Sequence, residues 1–167
     1  TLLGEWKGVS IHHAGWMVAA FEISGIVGML VAGWATDRFF GGRGPRVCVI
    51  CMALATVFVA LFWGISQPPM WLATLLLGAA GFCIYGPQAL VGIAAANIAT
   101  KKAAATAVGF TGLFGYASTL VSGWGLGLLA QHYGWNIAVG ALILIAIMGT
   151  LIFMAAWSAK ANGYDND

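Results

Sequence analysis

Five apolar runs, each long enough to cross a bilayer as a helix, constrain this chain more than any other feature. A spanning helix needs about 20 mostly apolar residues. The sequence supplies such runs over residues 14–37, 46–66, 70–98, 103–131 and 136–159. Charged residues make up 7% of the 167 residues and hydrophobic ones 61%, whereas a soluble domain carries about 25% charged residues. So little charge cannot cover a water-facing surface, and the solvent for most of the chain is therefore lipid. In lipid the backbone N–H and C=O groups find no water, which leaves helices or closed barrels. Runs rich in Ala, Leu, Ile and Gly, without apolar–polar alternation, predict helices. The expected fold is an all-α membrane protein with five transmembrane helices.

The connectors carry turn chemistry or charge: "GGRGP" (41–45), "SQPP" (66–69), "ATKK" (99–102) and "QHYGWN" (131–136). Residues 1–13 read as an external connector and 160–167 as a tail. If the spans alternate in direction, Arg38, Arg43, Arg46, Lys101, Lys102 and Lys160 all fall on one side, with only Lys7 on the other. By the positive-inside rule the basic side, including the C-terminus, is cytoplasmic. The expected location is the inner (plasma) membrane, spanned several times. Trp34, Trp63, Trp71, Trp135 and Trp157 lie near span ends, as interfacial anchors do.

Several function classes find no support. A net charge of +2 with no basic stripe argues against nucleic acid as a partner. Cys48 and Cys51 form a C-x-x-C, but inside an apolar span and without a second ligand pair, so neither a metal nor a redox role is expected. "GGRGPR" lacks the Lys-Ser/Thr of a phosphate-cradling loop. His12, His13 and His132 are placed in external connectors. No catalytic constellation is present, so the chain is not expected to be an enzyme or to carry a cofactor. It opens on Thr1 rather than Met and on a polar-aromatic stretch, which reads as a fragment of a longer protein.

Glu22 is the only charged residue placed deep within a span. A carboxylate there costs roughly 2.5–3.5 kcal/mol on insertion scales and marks a functional position by default. Tyr85 and Tyr116 offer apolar rings with one hydroxyl each, suited to phosphate or sugar hydroxyls. Pro87, after Gly86, removes the donor for the Cys83 carbonyl and is expected to kink its helix. Gln88 and Asn97 are polar enough to face a cavity. The glycines at 109, 112, 115, 123, 125 and 127 predict close helix packing.

Gly33, Asp37 and Arg38 form a G-x-x-x-D-R pattern followed by Gly42, Arg43 and Arg46. This resembles the cytoplasmic-loop motif of the major facilitator superfamily. There, Gly33 would admit a neighbouring helix while Asp37 and Arg38 make contacts that hold one end shut. Residues 81–127, with "YGPQ", "KKAA" and "GFTGLFGY" in order, look like helices 10 and 11 of the organophosphate:phosphate antiporters. "FEISGIVGMLVAGWATDRFF" (21–40) resembles their helix 8 and the loop after it. The resemblance implies helices 8 to 12, most of the C-terminal six-helix half of a 12-helix transporter. Glu22, Tyr85 and Tyr116 would line the substrate site, with Gln88 and Asn97 facing the same cavity. The implied activity is exchange of a sugar phosphate for inorganic phosphate, with hexose 6-phosphate favoured and glycerol 3-phosphate next. The arginines and histidine that grip phosphate in this family lie on helices 1, 7 and 5, so the partners expected are the N-terminal half of the same transporter and the bilayer. The alternatives are a sensor that binds external hexose phosphate and signals to a kinase, or a gene remnant.

Overall fold

The computed structural model describes residues 10–99 and 102–158. Lys7, Lys101, Lys160 and the 160–167 tail lie outside the described residues. The chain forms helices α1 (Ile11–Phe40), α2 (Gly44–Gly64), α3 (Met70–Ile98), α4 (Ala104–Tyr133) and α5 (Trp135–Ala155). All five are long and apolar enough to cross a membrane. The protein is a multi-pass membrane protein.

Several helix ends reach beyond the apolar runs, whereas α2 and α5 stop short of theirs, at Gly64 and Ala155. α1 takes in His12 and His13 at its start and Asp37 and Arg38 in its final turns, so residues 11–13 are not connector. His132 likewise lies in the last turn of α4 rather than in a bend. Hydropathy marks the lipid-facing middle of a helix, whereas polar side chains at its ends reach past that layer. Only Gly134, at φ 83°, separates α4 from α5. Between α1 and α2, Gly41 and Gly42 adopt φ 56° and 75°, and the Gly42 N–H returns to the Thr36 carbonyl at 3.1 Å. This left-handed turn closes the helix end and would strain any residue with a Cβ.

Two apolar clusters fix the packing of the first three helices. At one end, Met17 of α1 packs with Phe62 of α2 and with Ala73 and Leu76 of α3. At the other, Ala32 packs with Val47 and Cys48 of α2 and Leu90 of α3. α1 and α3 therefore run parallel, with α2 antiparallel to both. α5 runs antiparallel to α2, because the Trp63 Nε1–H donates to Asn136 Oδ1 at 3.1 Å while Arg46 meets Trp157 at the opposite end. Arg46 stacks 5.3 Å from the centre of the Trp157 ring, and its Nε–H reaches the Trp157 carbonyl at 3.4 Å. Arg38, Arg43, Arg46 and Lys102 consequently share one end of the bundle.

Between the clusters, α1 and α3 meet on backbone. A Cβ at Gly28 would collide with the Phe82 carbonyl, and one at Gly81 would stand 2.5 Å from the Phe21 carbonyl oxygen. The Ser24 hydroxyl lies 2.7 Å from the Gly78 carbonyl on α3, as well as 2.7 Å from Ala20 O of its own helix. In lipid no hydrophobic effect drives helices together, so small residues and interhelical hydrogen bonds carry the association.

α4 contrasts with this core. None of its residues is buried, and none of the glycines at 109, 112, 115, 123, 125 and 127 would meet an atom within 4 Å of an added Cβ. The close packing expected of them does not occur among the described residues. Gly109, Gly115 and Gly123 are exposed and Gly112, Gly125 and Gly127 half-buried, and Phe110, Phe114, Leu120 and Trp124 are exposed on the same helix.

Candidate functional site

The parallel register of α1 and α3 brings Glu22 and Tyr85 together. The Tyr85 hydroxyl donates a short hydrogen bond to Glu22 Oε2. Glu22 lies about 17 Å along α1 from Ile11 and Tyr85 about 23 Å along α3 from Met70, at 1.5 Å per residue. Both therefore sit near the middle of their helices.

Three neighbours shape this pair. Gly25 lies one turn after Phe21 and leaves the space the Tyr85 ring fills: a Cβ there would stand 2.6 Å from Tyr85 Cδ2. The Phe21 ring meets Tyr85 edge-on, with centroids 5.9 Å apart and planes at 71°. Ser24 fastens the same stretch of α1 to Gly78. Glu22 itself remains exposed on the bundle surface, and no cation pairs with it among the described residues. A carboxylate offers about four acceptor positions, so one phenol leaves room for a further donor.

Tyr116 is not drawn into this pair. It stands on α4 with 79% of its surface exposed. Gln88 is exposed and Asn97 partly buried, and neither side chain makes a hydrogen bond among the described residues. Gly86 and Pro87 are both buried, and α3 stays helical through them to Ile98. A Cβ at Gly86 would stand 2.9 Å from Ala32 Cβ and 3.4 Å from Cys51 Sγ, so this glycine lets α3 sit against α1 and α2.

The loop motif is spread over the shared basic end. Asp37 and Arg38 are exposed on the last turns of α1 and form no side-chain hydrogen bond or ion pair among the described residues. Arg43 caps the start of α2 without a side-chain hydrogen bond, and Arg46 is committed to Trp157. Gly33 has nothing within 4 Å of an added Cβ, so no helix among the described residues approaches closely there. The close approach falls instead at Gly25 and Gly28, because Gly28, Ala32 and Thr36 follow one another at helical spacing along the packed face and Gly33 lies off it.

The sequence reading did not single out Phe21, Ser24, Gly25, Gly28 or Gly81. The available signal was small residues at matching spacing, Gly25-x-x-Gly28 on one span and Gly78-x-x-Gly81 on another. No group of three or more His, Cys, Asp or Glu is placed to hold a metal ion among the described residues.

Comparison with known proteins places this geometry in context. The Major Facilitator Superfamily pattern matches residues 2–163. The chain is 38% identical to a "Probable hexose phosphate transport protein" of Chlamydia pneumoniae, over 93% of this chain and 34% of that protein. It is 34% identical to the "Glycerol-3-phosphate transporter" of Haemophilus influenzae, over 95% of this chain and 37% of the relative. A "Membrane sensor protein UhpC" of Salmonella typhimurium is 32% identical, over 95% and 36% respectively. The chain thus spans about a third of the length of the curated relatives it matches. These matches, running through all five membrane-length helices, show that the chain belongs to the Major Facilitator Superfamily.

Proposed function

We propose that this chain forms one wall of the substrate path in a secondary transporter that exchanges a sugar phosphate for inorganic phosphate by alternating access. Hexose 6-phosphate is the favoured substrate and glycerol 3-phosphate the next. The observation that carries this reading is the Glu22–Tyr85 pair, an acid and a phenol joined across two parallel helices midway along their length. Relatives named for hexose phosphate and glycerol 3-phosphate transport supply the substrate class.

Glu22 repels a phosphate, so it does not grip the anion directly. Its open acceptor positions suit a cationic side chain from a helix outside this chain, which would in turn hold the phosphate. Tyr85 keeps the carboxylate aimed while the site is empty. Gln88, Asn97 and Tyr116 offer polar groups on the faces of α3 and α4 left uncovered here, where rocking helices would close on the substrate. In this reading the end carrying Arg38, Arg43, Arg46 and Lys102 lies on the cytoplasmic side of the inner (plasma) membrane. Asp37 and Arg38, without a side-chain partner among the described residues, make the contacts that hold that end shut.

The test is exchange by the complete protein in proteoliposomes loaded with radiolabelled phosphate. Efflux that requires external glucose 6-phosphate or glycerol 3-phosphate supports the transporter. Saturable binding of glucose 6-phosphate without efflux favours the sensor reading, which the match to a membrane sensor protein keeps in play. Neither binding nor efflux refutes both.

A further inference from the structure

We infer that Gly25 is a positioning residue: its missing side chain sets where the Tyr85 ring lies and thereby makes the hydrogen bond to Glu22. This inference deepens the substrate-path reading above and rests on it for its functional consequence.

The geometry is specific to this glycine. The three atoms nearest an added Cβ at Gly25 all belong to the Tyr85 ring, Cδ2 at 2.6 Å, Cγ at 2.8 Å and Cε2 at 3.0 Å. At Gly28 the nearest atoms are backbone of Phe82, so that glycine governs helix separation instead. Gly25 therefore acts first on the Tyr85 ring. Gly25 and Phe21 lie on the same face of α1, one turn apart. The ring is held between the bare backbone at 25 and the edge of Phe21, which meets it at 71°. Glu22 follows Phe21, so the cradle and the acceptor come from a single turn of α1. A methyl at position 25 leaves α1 helical, since alanine is the better helix former. It pushes the ring away, and the hydroxyl, at the far end of a rigid phenol, moves with it.

The experiment uses the chain in lipid nanodiscs with fluorotyrosine in place of its 4 tyrosines. Tyr85→Phe identifies the Tyr85 fluorine resonance, and its shift on Glu22→Gln reads the hydrogen bond. In Gly25→Ala the resonance should move and lose its response to Glu22→Gln. Gly33→Ala, on the same helix with nothing nearby, should preserve both. A Gly25→Ala spectrum that still responds to Glu22→Gln as the parent does overturns the inference. If Gly25→Ala is not helical, adding Tyr85→Ala should restore the helicity and heat resistance of Tyr85→Ala alone, because the ring supplies the three nearest atoms; failure to restore them also overturns it. In the complete protein, Gly25→Ala should weaken sugar-phosphate binding roughly tenfold, as losing a charged hydrogen bond does. If Tyr85→Phe leaves that binding unchanged, the functional reading fails while the resonance still decides the role of Gly25.

Discussion

Tyr85 on α3 donates its hydroxyl to Glu22 on α1, and this is the only hydrogen bond between side chains of those two helices among the described residues. It joins the one acid deep in the spans to a donor that is itself held by Phe21 and Gly25. Removing the donor should leave the carboxylate with no partner in this bundle. Tyr85→Phe is therefore expected to destabilise the chain by about 1–2 kcal/mol. Glu22→Gln, which keeps an acceptor for the phenol and sheds the charge, should be neutral or stabilising. Thermal unfolding in detergent, followed by helical circular dichroism, checks both.

Gly28 should tolerate no side chain. Gly28→Val would place its Cβ against the Phe82 carbonyl, and backbone cannot swing aside as a side-chain tip can. Overpacking of this kind costs about 1–3 kcal/mol or more. Gly33→Val on the same helix, with open space around it, should change stability by less than about 0.5 kcal/mol. Parallel melts of the two variants measure the difference, and equal losses would show that the helices are not in contact at Gly28.

The interhelical bond from Ser24 is a smaller effect. Ser24→Ala removes the hydroxyl that reaches Gly78 O without adding bulk. Hydrogen bonds between membrane helices average about 0.6 kcal/mol, and a loss of that order is the expected outcome. Because Ser24 and Gly28 share one interface, the double variant with Gly28→Val should lose less than the sum, since the helices are already apart.

The contrast between these glycines shows what was legible in the sequence. The five helices were legible because lipid leaves the backbone one economical answer, and long apolar runs state it directly. Glu22 stood out for the same reason, as a charge where charge is expensive. Which face of α1 packs on α3 was not legible, because it depends on the register between two helices and no single-span pattern encodes that. Gly33 drew notice through its place in a motif, while Gly25 and Gly28 carry the contact. The α4 glycines show a further limit: their spacing suits a packed face, but no helix meets it closely among the described residues.

The ends of the α2–α5 pair should respond separately. Arg46→Ala removes the stack on Trp157 and should cost about 0.5–1 kcal/mol, as exposed cation–π contacts do. Trp63→Phe removes the donor to Asn136 at the other end and should cost about the same as one neutral hydrogen bond, roughly 0.5–1.5 kcal/mol. The two sites lie at opposite ends of the pair, so their effects on the melting temperature should add.

The most direct measurement is phosphate exchange by the complete protein in proteoliposomes, comparing the parent with Glu22→Gln and Tyr85→Phe. The account predicts phosphate efflux driven by external hexose 6-phosphate in the parent, and efflux reduced roughly tenfold or more in both variants. Efflux that neither variant alters, while both remain folded in the membrane, would contradict the placement of Glu22 and Tyr85 on the substrate path.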